Sequence, residues 1–370
     1  MQPFRTSAAN LIFETASIHN IGKQAITLSE KTAGDAFSFA AKNGLVPWIF
    51  YQINNNNNKG VQWPQSIKQA MRMQYLQTLV MNQQKWKVFR EIKELANTQN
   101  IPVIPLKGTA LAFSLYPEEA LRPMGDLDIL VPPAKVHALR DLLLSKGALP
   151  LHVPISRMHD QVHAHISALS WQNIMIEPHQ RLFALGSTMN LKNIDLFKHI
   201  QPIPGYPDVD IFEDRMQAYH LATHAFKGYK MGGMRLGWLL DIALILDKNR
   251  HNNDFVPSVL ALNPEAKEEI LAPIQWASLL LNETPATKPE IPFPDEILFH
   301  EEQNASKKHK IMVAHEIMGL PGLSNKIRML RGEFFPQKAY MDHRYGKHRG
   351  LALILLYLKR IAGFSLPKNQ

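Results

Sequence analysis

The spacing of apolar residues changes along the chain, and the changes mark out its elements. From Ser66 to Asn97 there is no Pro or Gly, and Val88, Ile92 and Leu95 recur at helical spacing with Phe89 and Ala96 alongside, which predicts one long or broken helix. Residues 1–60 carry shorter helical patterns and end in an asparagine tract, Asn54 to Asn58, expected to be an exposed loop. At Ile101 the pattern shortens. Ile101 to Leu106 is a β-branched run too brief for a helix, its prolines suit an edge strand, and Lys107-Gly108 ends it. A helix is then expected from Thr109 to Tyr116, a strand from Asp126 to Val131, and a helix from Ala134 to Lys146 with Gly147 at its C-cap. Two further strands, His163 to Leu169 and Ile174 to Glu177, flank a turn at Gln172-Asn173. Past a proline-rich junction at Ile203 to Pro207 the helical period returns, from Glu213 to Lys227, from Met234 to Asp247, and around 255–283 and 305–330. The expected fold class is α+β, a small mixed β-sheet flanked by helices. The expected organisation is an N-terminal helical region (1–100), a sheet-bearing catalytic core (101–205) and a C-terminal helical domain (206–370).

Composition narrows the chemistry. The 370 residues contain no Cys, which excludes disulfide scaffolds, thiolate zinc sites, iron–sulfur clusters and cysteine nucleophiles. No apolar run approaches the ~20 residues of a membrane-spanning helix. The first residues lack the apolar core of a secretory signal, so a cytoplasmic protein is expected. Forty-one Lys and Arg against 32 Asp and Glu give a net charge of +9, which favours anionic partners without choosing among nucleotides, nucleic acid and an acidic bilayer. No stripe of alternating basic and aromatic residues is present, so no specific nucleic-acid partner is expected. Near the C-terminus the apolar run Leu351 to Leu358 lies between His343 to Arg349 and Lys359-Arg360. It is too short to span a bilayer. Either it packs on its own domain or it makes peripheral contact with an anionic membrane.

The chemistry concentrates in Arg122-Pro-Met-Gly-Asp126-Leu-Asp128. Residues two apart on a strand share a face, so Asp126 and Asp128 are expected to project together, and their repulsion is relieved if a divalent cation sits between them. Hard oxygen donors of this kind suit Mg²⁺. Lys107-Gly108 opens a helix, where backbone N–H groups and a flexible cation can face an anion. Gly125 permits close approach, and Arg122 offers a planar fork for phosphate oxygens. Glu177, ending an apolar strand, can bring a third carboxylate. Three carboxylates suggest two metal ions and in-line phosphoryl or nucleotidyl transfer. His179 shares the Glu177 face if the strand continues through Pro178, there to contact phosphate, order the carboxylate or pack. For His152, His159, His163 and His165, solvated or substrate-facing imidazoles are expected over a zinc site. Arg235, Trp238 and Asp241 fall broadly on one side of a helix. They either line a ligand cleft or belong to the core, with Asp241 paired to a neighbouring cation.

Lys107-Gly108, Tyr116 to Val131, Ile176-Glu177-Pro-His179, His224 to Lys227 and Arg235 to Asp241, and more loosely Phe335-Pro336 and Arg344-Tyr345, resemble the bacterial uncharacterised nucleotidyltransferase family, a branch of the polymerase-β-like nucleotidyltransferase superfamily. The resemblance implies a nucleotidyltransferase core with Mg²⁺ held by Asp126, Asp128 and Glu177. It also implies a nucleoside triphosphate bound by the loop Lys107, Gly108 and Thr109, with an unidentified small-molecule or glycan acceptor in polysaccharide or natural-product biosynthesis. Two positions depart from the pattern: Lys107-Gly108-Thr109 stands where the superfamily has a Gly-Ser pair, and Gly228 stands where the branch tends to carry a histidine. A noncatalytic nucleotide-binding or membrane-associated assembly protein on the same scaffold is the competing expectation.

Overall fold

The computed structural model describes residues 11–12, 15–18, 26–55, 61–192, 194–281, 291–294, 314 and 317–364. By its contacts the chain forms two units, one of 1–94, 104–128 and 191–310, the other of 95–103, 129–190 and 311–370.

In the first unit, α1 (Glu30–Lys42) starts at Ser29, whose side chain accepts from the Thr32 N–H, and α2 (Val46–Asn54) follows. Asn54 thus closes a helix, Asn55 caps it, and the rest of the asparagine tract lies outside the described residues. Strands β1 (Ile26–Thr27) and β2 (Val61–Gln62) pair in parallel. The long apolar pattern forms a single unbroken helix, α3 (Gln65–Asn97). Its buried stripe runs through Thr78, Asn82, Lys85, Phe89, Ile92 and Ala96, alternating steps of four and three, and is apolar only in its second half. The segment Ile200–Phe212, expected in part as a proline-rich junction, is instead a hairpin. β8 (Ile200–Ile203) pairs antiparallel with β9 (Tyr206–Phe212), and Gly205 turns at φ +84°. A two-stranded ribbon consists only of edges, so its prolines cost no interior ladder bond. The C-terminal part of the unit is helical: α7 (Asp214–Met231), α8 (Leu236–Lys248), α9 (Phe255–Leu260) and α10 (Lys267–Ser278), with α7, α8 and α10 packed on one another.

The sheet that carries the chemistry-bearing residues has the order β3-β4-β7-β6-β5, from Ile104–Pro105, Leu127–Leu130, Ile174–His179, Leu169–Trp171 and Leu149–Pro150. It is mixed and flanked by helices, in keeping with the expected α+β class. Between β3 and β4 lies α4 (Lys107–Ala112). All four residues of β4 are buried.

In the second unit α5 (Val136–Ser145) buries Val136, Leu139, Leu142 and Leu143, and Gly147 follows it at φ +92°. Gln172 and Asn173 are both left-handed, φ +51° and +61°, as a two-residue hairpin turn requires. That turn sets Trp171 opposite Ile174 and so fixes the faces of β7. Residues 163–168, expected as strand, form only an isolated bridge from His165 to His179 before β6 begins. Pro178 has no N–H to donate, and the Gln180 and Arg181 side chains take the His163 carbonyl, so no regular ladder extends there. Helices α6 (Arg157–Val162), α11 (Leu323–Phe334), α12 (Lys338–Tyr345) and α13 (Leu351–Phe364) complete the unit. Val162, Ile317, Leu320 and Met329 form its small apolar cluster. Of the helix expected around 305–330, residues 317–319 and 323–330 are helical, the latter as the start of α11, while 305–313 and 315–316 lie outside the described residues.

Candidate functional site

The site grows from the β3–α4 connection. Buried Ile104 and Pro105 anchor β3, and the Leu106 N–H donates to the Asp128 carbonyl at 3.0 Å, locking the loop to β4. The chain then turns through Lys107 at φ +47°, a conformation an L-residue seldom holds without reason. Here the ammonium gains a near-buried partner: Lys107 Nζ donates to Asp128 Oδ1 at 2.9 Å, and Asp128 is 5% exposed. Gly108 is required sterically, since a Cβ there would lie 2.8 Å from the Met124 Cβ.

Asp126 sits one residue before β4. Burial, reinforced by the Asp128 carboxylate, raises its pKa above the usual range, against the pull of Lys107 and Lys85. Lys85 reaches this corner from α3. It is 2% exposed. Burial lowers its pKa, and Asp126 opposes that shift. One helical turn earlier, Asn82 Nδ2 donates to the carbonyls of Glu119 (2.6 Å) and Arg122 (2.9 Å), while its buried Oδ1 has no partner among the described residues. These two side chains were not anticipated. The signal was present all the same, as polar residues continuing an apolar helical stripe at core positions.

On β7, Glu177 and His179 are two residues apart and share a face. Glu177 Oε2 lies 3.8 Å from His179 Nε2 and 3.9 Å from His165 Nε2, and the two imidazoles are 5.2 Å apart. The Val131 N–H donates to the His179 carbonyl at 2.9 Å, which ties β7 to the end of β4. One ligand atom each from Asp128, Glu177 and His179 falls within 4.8 Å of the others. Two carboxylates and an imidazole are a donor set that fits a divalent cation.

Helix α7 adds His224, whose pKa is held well below the ordinary histidine value by burial, then by Lys107, His220 and Lys227, with Asp128 pulling the other way. The candidate donor atoms are thus those of Asp128, Glu177 and His179, and Lys107 is held on Asp128. Arg122 and Thr109 point elsewhere. The Arg122 guanidinium is bound to Asp241, which raises its pKa despite burial, and Thr109 Oγ1 donates to Met124 Sδ. Gly125 is exposed beside Asp126. Asp241 is therefore paired with a cation, and Arg235 is exposed. Of the four clustered histidines, His165 joins the Glu177 group, and the His159 side chain lies outside the described residues. A Cβ at position 228 would run into the Trp238 ring, so the indole fills the space a larger side chain would take.

A family model described as an uncharacterised nucleotidyltransferase matches residues 29–281. No curated protein and no solved structure matches the chain.

Proposed function

The chain belongs to the uncharacterised nucleotidyltransferase family, and from that membership we propose that it is a Mg²⁺-dependent enzyme of the polymerase-β-like kind. It moves a nucleoside monophosphate group from a nucleoside triphosphate to a hydroxyl or phosphate acceptor, a small molecule or glycan, in the cytoplasm. The observation that carries this reading is the gathering of Asp128, Glu177 and His179 beside Asp126, on the adjoining strands β4 and β7.

Asp126, Asp128 and Glu177 are the residues that would hold the metal, two ions being expected, with His179 beside them. When bound, such ions offset the charge of the triphosphate and make the acceptor oxygen a better nucleophile. The protein's own groups do the rest. Lys107 and the backbone at Gly108 bind phosphate oxygens, and Lys85, already desolvated, offers a second ammonium on the Asp126 side. Glu177 takes the acceptor proton. Arg122 acts at a distance as a positioning residue, fixing through Asp241 the segment that leads into the carboxylates.

The test is calorimetric and thermal titration of wild type and Asp126→Asn/Asp128→Asn with each nucleoside triphosphate, with and without Mg²⁺. A ligand that binds only the folded state raises its stability by mass action. Mg²⁺-dependent binding by wild type that disappears in the double variant is the expected result. Absence of binding in wild type under every condition overturns the reading in favour of an assembly role.

A further inference from the structure

The chain's charge is concentrated where its surface is most apolar. Residues 317–364 hold nine Lys and Arg against two Asp and Glu, a net +7 of the whole chain's +9. This segment lies beyond the 29–281 family match.

In α13 the apolar residues Leu351, Ile354, Leu355 and Leu358 recur at i, i+3, i+4 and i+7, which is one helical face. They are 55–79% exposed. The helix is held by other positions: Tyr357 Oη donates to the Pro336 carbonyl at 2.7 Å, and the Arg360 guanidinium reaches the Glu333 carbonyl and lies 5.4 Å from the centre of the Tyr340 ring. Its hydrophobic stripe therefore faces away from its packing partners among the described residues. Helix α11 does the same. It buries Met329 in the apolar cluster and Gly332 against Ser156, and leaves Leu323, Ile327 and Leu330, at i, i+4 and i+7, exposed. Arg344, Lys347 and Arg349 precede α13, and Lys359 lies near its end, all exposed.

We propose that this surface docks on an anionic lipid bilayer, with α13 lying in the plane of the interface. Fourteen residues at 1.5 Å each span roughly 21 Å, too short to cross a hydrocarbon core of about 30 Å. An exposed apolar stripe flanked by cations matches the boundary between acyl chains and acidic headgroups. A second copy of the chain is a poor occupant, because it would bring +7 against +7. The inference does not depend on nucleotidyl transfer.

The test is flotation of the full chain with phosphatidylcholine vesicles and with vesicles containing 30% phosphatidylglycerol, for wild type and Ile354→Glu/Leu355→Glu. The replaced side chains are exposed, and an unchanged melting temperature verifies the variant's fold. Binding to anionic vesicles at least tenfold above neutral ones is expected, falling at least tenfold in the variant and declining in 0.5 M salt. No binding, or equal binding to both vesicles, overturns the proposal. Self-association in solution that the variant abolishes, without vesicle binding, assigns the surface to a second copy instead. Normal nucleotide binding by the variant would separate this surface from the carboxylate site.

Discussion

Arg122 and Asp241, 119 residues apart in sequence, meet through three side-chain bonds, Nε to Oδ1 at 2.7 Å and to Oδ2 at 3.0 Å, and Nη2 to Oδ2 at 2.8 Å. Tyr116 Oη donates to the same Oδ1 at 2.7 Å, and Asp241 is fully buried in α8. Removing one partner of such a pair strands the other without water. Asp241→Ala is expected to cost about 3–5 kcal/mol of stability, and the double variant Arg122→Met/Asp241→Leu less than the sum of its single changes. Urea unfolding of the four proteins in the cycle measures this, and strictly additive costs would show that the two groups do not depend on each other.

The Asp126 carboxylate carries a different energetic sign. Burial and Asp128 raise its pKa, so its charge at neutral pH opposes folding, and this cost fades as pH falls through the raised value. Asp126→Asn is therefore expected to leave stability at pH 7 within about 1 kcal/mol of wild type, in the direction of greater stability. Thermal unfolding tests this directly. A clear loss of stability would make Asp126 a structural counter-charge for Lys85 and Lys107 instead.

At position 228 the constraint is space. Gly228→Ala pushes a methyl group into the Trp238 ring, at an expected cost of about 1–3 kcal/mol. In a Trp238→Leu background the same change should cost distinctly less. Equal cost in both backgrounds, read from chemical denaturation, would place the strain in the backbone of α7.

His224 makes the stability sensitive to acid. Its folded pKa is depressed, first by burial and then by Lys107, His220 and Lys227, whereas the unfolded chain binds a proton near pH 6.5. Its contribution is fully present above about pH 6.5 and is lost as acidification approaches the folded value. Melting temperatures of wild type should fall between pH 7 and pH 5, and His224→Gln should flatten that slope. An unchanged slope in the variant would assign the acid sensitivity to other groups.

Much of the fold could be read directly from local pattern. Helix α3 follows from an unbroken run free of Pro and Gly, and the Gln172-Asn173 turn from residues that tolerate a left-handed backbone. Non-local features were not legible in that way. Prolines at 204 and 207 read as a break, yet they belong to a two-stranded ribbon where a missing donor is harmless. Spacing gave Asp126, Asp128 and Glu177 as candidates because strand periodicity needs only sequence. It could not give Asp241 as the partner of Arg122, since that choice is made by tertiary packing. Lys85 and Asn82 were overlooked because a polar residue in a helix is ordinarily assigned to the solvent face.

The ion pair between Lys107 and Asp128 has a consequence for how a metal would arrive. The ammonium is a counter-ion tethered to its site, so a free divalent cation must compete with a charge whose local concentration is set by a few bonds rather than by the solution. A phosphate chain changes that competition by giving the lysine another anion to follow. Cation and nucleotide then help each other in, and each alone is admitted poorly, which would make the protein a detector of the metal–nucleotide complex rather than of either component.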